Sequence, residues 1–396
     1  MRNQLNKYLS GNELVNELTV LPEYKEGLTE VPERLLALLD LYLIYIPSKT
    51  TIDIYNRLYM SLLNSLDKKS TMEEIKALNE NYLVSKGLKR YGIIGGLESF
   101  KITGTAGLGK TSSVQRCIDI ITGNKILINK NPYREVIPIL FVECVADGSF
   151  KSLLFMILKE VDNKIGTTYF ISNSKATITV DILLSVVSKV LILHVALLVI
   201  DEIERVANDN KKGDTLINYL TQLVNQSNIA ICFVGNESAN KYFETKEYMS
   251  RRTIGISIKK MEYDESFYRF CEIIFKYQYV LNKIEFNAEY SRLLYKLSNG
   301  IPSMVISLFV ETQREAIISG KEELSVDLFE QVFKNNFSNM LPYISLDKKT
   351  ITKKKDDVII IDDIDSNNDN LFTSNLDKDI STLIMKLRDY IEVEII

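Results

Sequence analysis

The chain has 396 residues, 46% of them apolar and 25% charged, an ordinary balance for a globular protein of two domains with extensions. Its net charge of −4 excludes a general basic field for nucleic acid, so any DNA contact must come from a local patch. Four cysteines without a CxxC pair, and a single histidine, argue against a zinc site or a disulfide framework and read as buried thiols of a reducing compartment.

The N-terminus, MRNQLNKYLSGNELVNEL, is polar and lacks the apolar region of a signal peptide. The longest apolar run, Val186 to Ile200, is interrupted by Lys189 and His194 and is too short to span a bilayer. The expectation is a cytoplasmic protein with no membrane partner. Residues 1–95 read as a helical N-terminal extension, with helix-period apolar positions in VPERLLALLDLYLIYI and TIDIYNRLYMSLLNSL and breaks at Pro22, Pro32 and Pro47. From 96 to 260 the runs SFKITG, PILFVECV, ALLVID and IAICFVGN alternate with helical patterns. That alternation predicts a parallel sheet covered on both faces. Residues 261–346 read as wholly helical, with a sharp turn at Ser298-Asn299-Gly300-Ile301-Pro302. Residues 347–377 are polar and charge-blocked and read as a disordered linker, and 378–396 as an amphipathic tail helix with Ile380, Leu383, Ile384, Leu387 and Ile391 on one face.

GTAGLGKT, Gly104 to Thr111, meets the G-x-x-x-x-G-K-[ST] pattern between a strand and a helix. Gly104, Gly107 and Gly109 free the backbone to wrap phosphates, together with Thr105, Ala106 and Leu108. The helix opening at Lys110, Thr111 and Ser112 turns its positive end toward them. Lys110 would neutralise β/γ-phosphate charge and Thr111 would ligate Mg²⁺, so ATP and Mg²⁺ are the expected cofactors. VALLVIDEIE places Asp201 and Glu202 at the carboxyl end of an apolar strand, where α/β sheets bind ligands. Asp201 would hold Mg²⁺ through water, and Glu202 would polarise the attacking water. Asn236, ending IAICFVGN, suits a γ-phosphate sensor; its plain alternative is a turn residue. Arg251 and Arg252 in YMSRRTIG suit an arginine finger supplied to a neighbouring subunit; their plain alternative is a solvated pair.

In this order the motifs resemble those of AAA+ ATPases, and the expected fold class is α/β: an AAA+ P-loop NTPase with a parallel sheet, a helical N-terminal extension and a C-terminal helical lid. Over about residues 18–346 the chain further resembles the TnsC transposition regulators of Tn-seven-like transposons. The similarity runs from LTVLPEYKEGLTEVP through ADGSFKSLLFMILKEVDNKIGTTYF, LLVIDEIE and LINYLTQLVNQSNIAICFVGNESA to LSNGIPSMVISLFVETQREAIISGKEELS. The resemblance implies a homo-oligomeric ring or filament around double-stranded DNA that links a target-selection protein to transposase subunits. Two positions depart from the family pattern: Glu204 stands where the family has Gln, and Ser303 where many AAA+ proteins place a sensor arginine. Lys151, just after Asp147-Gly148-Ser149-Phe150, is the expected DNA contact, with Lys86, Lys89, Arg90 and Lys130 as others. Two other readings of the same motifs stay open: a signalling or secretion-associated AAA+ ATPase without DNA binding, and a nucleotide-held scaffold with negligible turnover. The tail helix has two readings as well, packing on its own lid or docking on the transposase.

Overall fold

The computed structural model describes residues 1–69, 99–130, 133–145, 148–175, 177–206, 213–227, 229–240, 243 and 253–340. Lys86, Lys89, Arg90, Asp147, Arg251, Arg252, the linker and the tail helix lie outside the described residues. The chain divides into two compact units. One holds Met1–Leu18 and Pro47–Lys259; the other holds Thr19–Ile46 and the chain from Lys260.

The first unit is built on a six-stranded sheet: β1 (Ser99–Thr103), β2 (Leu127–Lys130), β3 (Tyr133–Glu143), β4 (Val195–Asp201), β5 (Ala230–Gly235) and β6 (Thr253–Ser257). Its order is β2-β3-β4-β5-β1-β6. All pairings are parallel except the β2–β3 hairpin. Every residue of β4 and β5 is buried, the signature of strands covered on both faces rather than alternating in and out. β2 and β6 are short edge strands that the apolar pattern does not announce. The side chain of Gln4 pairs with the edge of β2, its Nε2 donating to Ile128 O and its Oε1 accepting from Ile128 N, which occupies backbone groups that an edge would expose.

Helices cover both faces. α5 (Phe150–Ile165), α7 (Val180–His194) and α8 (Gly213–Ser227) join the strands in one apolar cluster. α5 presents Phe150, Leu153, Leu154, Ile157, Leu158 and Val161 at helical spacing, and Ser149 caps it by accepting the Ser152 N–H. The Val186–Ile200 run splits at His194, where α7 ends and β4 begins. His194 Nδ1 lies 2.9 Å from Glu135 O and its Nε2 3.0 Å from the Tyr169 hydroxyl. The DNKIGTTYF stretch also has a physical reason. The Asp162 carboxylate accepts from the Thr167 hydroxyl and from the N–H groups of Tyr169 and Phe170. Gly166, at φ 67°, ends α5 in the left-handed region. Together they set the start of α6 (Tyr169–Asn173). α4 (Lys110–Thr122) packs with α3 (Lys49–Lys69), whose Ile54, Tyr55, Leu58, Leu62 and Leu66 are buried. Arg116 of α4 donates to Glu17 O and Leu18 O at the end of α1 (Gly11–Leu18), satisfying carbonyls that a helix end leaves open.

The second unit packs α2 (Val31–Ala37) with α9 (Glu265–Phe275), α10 (Ala288–Ser298), α11 (Pro302–Ile318) and α12 (Val326–Asn336). The expected turn is present: Asn299 and Gly300 take φ 51° and 70°, a Cβ at Gly300 would collide with Met261 O, and Pro302 opens α11. Arg34, 3% exposed, forks onto both oxygens of Glu322 at 2.6 and 2.8 Å and also donates to Tyr279 O. Among the described residues no single helix is long and apolar enough to cross a membrane.

The Arg34–Glu322 pair leads to a first expected result. Arg34→Met should destabilise the protein by about 2–4 kcal/mol, because it leaves the partly buried Glu322 carboxylate without its charge partner. The hydrogen bonds from Arg34 hold the Glu322 carboxyl below its ordinary 4.5. The stabilisation is therefore complete above the unfolded value and is lost as pH falls through the lower folded one. Urea denaturation between pH 7 and pH 3, roughly the range of carboxylate titration, should show this acid-side loss in the wild type and less of it in the variant.

Candidate functional site

The register brings the carboxyl ends of the parallel strands to one edge. Thr103 pairs with Gly235 and with Ser257, and Glu143 pairs with Asp201. β5 lies between β1 and β4, so Asn236 leaves the sheet between the loop that follows β1 and the acids that end β4. This is the edge at which open α/β sheets take ligands.

Residues 104–109 form the loop from β1 to α4. Gly107 and Gly109 adopt φ 83° and 78°, left-handed values open to glycine and strained for other residues. A Cβ at Gly104 would come within 2.6 Å of Ile258 O, because the segment after β6 passes directly over the loop and donates Ile258 N–H to Thr103 O. Leu108 is buried and anchors the loop. Thr105 is half-buried, while Ala106 and Gly107 are exposed. Lys110, 8% exposed, turns its ammonium across the loop to donate to Thr105 O at 3.0 Å. Thr111 and Ser112 stand exposed on the first turn of α4, at the positive end of the helix.

The Thr111 hydroxyl donates to Asp201 Oδ2 at 2.7 Å. Asp201 is 1% exposed, and its Oδ1 accepts the N–H of Glu202. A hydroxyl and a carboxylate oxygen converging beside a phosphate-type loop form a hard-oxygen donor pair that fits Mg²⁺. Those two residues would hold the ion, which when bound would neutralise phosphate charge. Glu202 sits in the left-handed region at φ 55°, uncommon for a non-glycine residue and a marker of local constraint. Burial, and next the neighbouring Glu204 carboxylate, push the Glu202 carboxyl above its ordinary range. Arg205 Nε lies 3.4 Å from Glu202 Oε2, while its Nη1 donates to Glu143 Oε1 and Cys144 O at 2.9 and 3.0 Å.

Asn236 follows β5 and caps the next turn, its Oδ1 accepting from Ser238 N and the Ser238 hydroxyl. Its backbone N–H donates to Glu204 Oε1 at 3.2 Å. Thus the structure gathers the 104–112 segment, Asp201, Glu202 and Asn236 at one edge. Lys151 lies in the first turn of α5, with its ammonium 5.9 Å from the centre of the Phe155 ring. Lys130 is exposed at the far edge of the sheet, since it pairs with Tyr133 at the start of β3. Sequence reasoning missed Arg205 and Glu143, which carry no motif, and Glu204 stood out only as a departure from a family pattern. The four cysteines are buried, and burial pushes their thiols up, that of Cys117 to about 12, which keeps them unreactive.

Among solved structures, the chain is similar to Drosophila ORC bound to DNA, at 13% identity over 81% of this chain and 70% of that one, with a TM-score of 0.42. It is similar to Cdc6p from Pyrobaculum aerophilum at 14% identity, over 67% of each chain, with a TM-score of 0.40. Domain III of the Thermotoga maritima replication initiation protein DnaA gives 14% identity, 67% and 92% coverage and a TM-score of 0.35. No curated protein matches the chain. Residues 96–243 match the model of the AAA domain family, and with the P-loop between β1 and α4 and β5 inserted between β1 and β4, the chain carries the α/β AAA+ P-loop fold.

Proposed function

We propose that this protein is an ATP-dependent, DNA-binding oligomeric regulator of transposition, acting in the cytoplasm to link a target-selection protein to transposase subunits. The observation that carries the ATPase part is the 2.7 Å contact between Thr111 and Asp201, which joins the phosphate loop to the acidic strand end. In this reading Gly104 to Ser112 bind the ATP phosphates, with Lys110 as the fixed cation. Thr111 and Asp201 hold Mg²⁺, Glu202 takes the proton of the attacking water and Asn236 contacts the γ-phosphate. Arg251 or Arg252 would complete the site of a neighbouring copy. Hydrolysis would then dismantle the assembly on DNA. The transposition part is supported by the resemblance of the 147–170 segment and of the lid to TnsC regulators.

The test measures duplex binding and ATP turnover together. Binding should require ATP, be indifferent to sequence and weaken steeply with salt, as phosphate contacts on an acidic protein demand. Lys151→Ala should reduce the salt slope by about one. ATP turnover unchanged by DNA, with no ATP-dependent duplex binding, would favour an AAA+ ATPase that works without DNA.

A further inference from the structure

The turn after β4 carries an acid that the ATPase reading leaves without a task. Glu204 Oε1 accepts the backbone N–H of Asn236 at 3.2 Å. Its Oε2 is buried and has no hydrogen-bond partner among the described residues. That oxygen is wedged against Gly235, where any added Cβ would collide with it and press on Ile203 and Ala239. A carboxylate oxygen kept dry and unpaired is costly, so a merely convenient side chain is a poor account of it. On the other side of the same turn, Arg205 holds Glu143 and Cys144 O. Four consecutive residues, Glu202 to Arg205, are thereby tied to β5 by one side chain and to the end of β3 by the next.

We propose that Glu204 is a positioning residue that locks Asn236 to the Glu202 turn. The group facing the γ-phosphate and the group polarising water then keep a fixed separation. The role rests on the ATPase reading. It follows from geometry: Glu202 leaves β4 in a left-handed conformation, and Asn236 leaves the neighbouring strand β5. The Glu204 carboxylate bridges the two. An error of about 1 Å between such groups costs on the order of 100-fold in rate.

The experiment uses the full chain with Glu204→Gln, which keeps an oxygen acceptor, and Glu204→Met, which keeps volume but accepts nothing. ATP affinity is read by calorimetry, kcat and KM by steady-state hydrolysis, and the Asn236 amide by hydrogen exchange. Glu204→Gln should stay within about threefold of wild-type kcat, while Glu204→Met falls by about 100-fold with KM and ATP affinity changed by less than about twofold. The Asn236 amide should exchange slowly in wild type and Gln variant and faster in the Met variant. Gly235→Ala, which pushes the carboxylate off β5, should reproduce the kcat loss and carries the test if Glu204→Met does not fold. Wild-type kcat in Glu204→Met or Gly235→Ala, or Gln failing as badly as Met, overturns the proposal. So does a parallel rise in KM. A wild-type chain with no ATP turnover sinks the ATPase reading and this role with it.

Discussion

Lys110→Ala should abolish ATP binding at working concentrations, and ATP-dependent assembly on DNA with it. Lys110 is the one cation fixed inside the 104–111 loop, and its ammonium lies 3.0 Å from Thr105 O. With phosphates bound, that ammonium would make charge-assisted hydrogen bonds of about 1.5–3 kcal/mol each. Losing two of them weakens binding by at least about 100-fold. The fold should survive, because alanine is a good helix former in the first turn of α4 and the loop glycines keep their conformations. Calorimetry with ATP, paired with a thermal melt, separates the two effects. Unchanged affinity would remove the phosphate site from its assigned place, and an unfolded variant would show that Lys110 holds the loop itself.

Glu202→Gln should bind ATP normally and hydrolyse it about 100- to 10,000-fold more slowly, the usual contribution of a positioned general base. Glutamine is nearly isosteric, so the φ 55° turn and the Asp201 contact to the Glu202 N–H can persist. What it cannot do is take a proton, and it loses the charge facing Arg205. DNA-bound assemblies should consequently outlive those of the wild type, by electron microscopy or sedimentation. Burial and Glu204 raise the Glu202 carboxyl above 4.5. A base works only when deprotonated, so the acid limb of the wild-type rate profile should lie above that value and vanish in the variant. Full turnover in Glu202→Gln would place the base elsewhere.

The parallel, doubly covered sheet was legible in the chain because its central strands leave no polar face. ALLVID and IAICFVG have no alternation to misread, and β4 and β5 are buried throughout. The edge strands β2 and β6 were not legible. They are four and five residues long and lie at the edges of the sheet, where, unlike the equally short but buried β1, they lack a continuous apolar run to stand out from loops. Asp162 shows a middle case. Its spacing to Gly166, Thr167 and Tyr169 was visible as a pattern, but only the fold shows that one carboxylate gathers three donors.

The sequence by itself determined the location of the glycine loop at 104–111, the acidic pair and the strand-end asparagine, because each depends on neighbours within a few residues: glycines for left-handed turns, a helix start, an apolar strand before an acid. Only the tertiary structure decided what meets what. Thr111 and Asp201 stand 90 positions apart and touch because β5 inserts between β1 and β4 while the strand ends stay level. Residues 1–18 join the sheet unit while 19–46 join the helical one, since Arg116 caps α1 and Glu322 takes Arg34. Glu204, in the turn after β4, reaches Asn236 at the end of the adjacent β5. Local pattern encodes which element forms, whereas pairing order depends on which buried faces fit together, and that is a property of the whole chain.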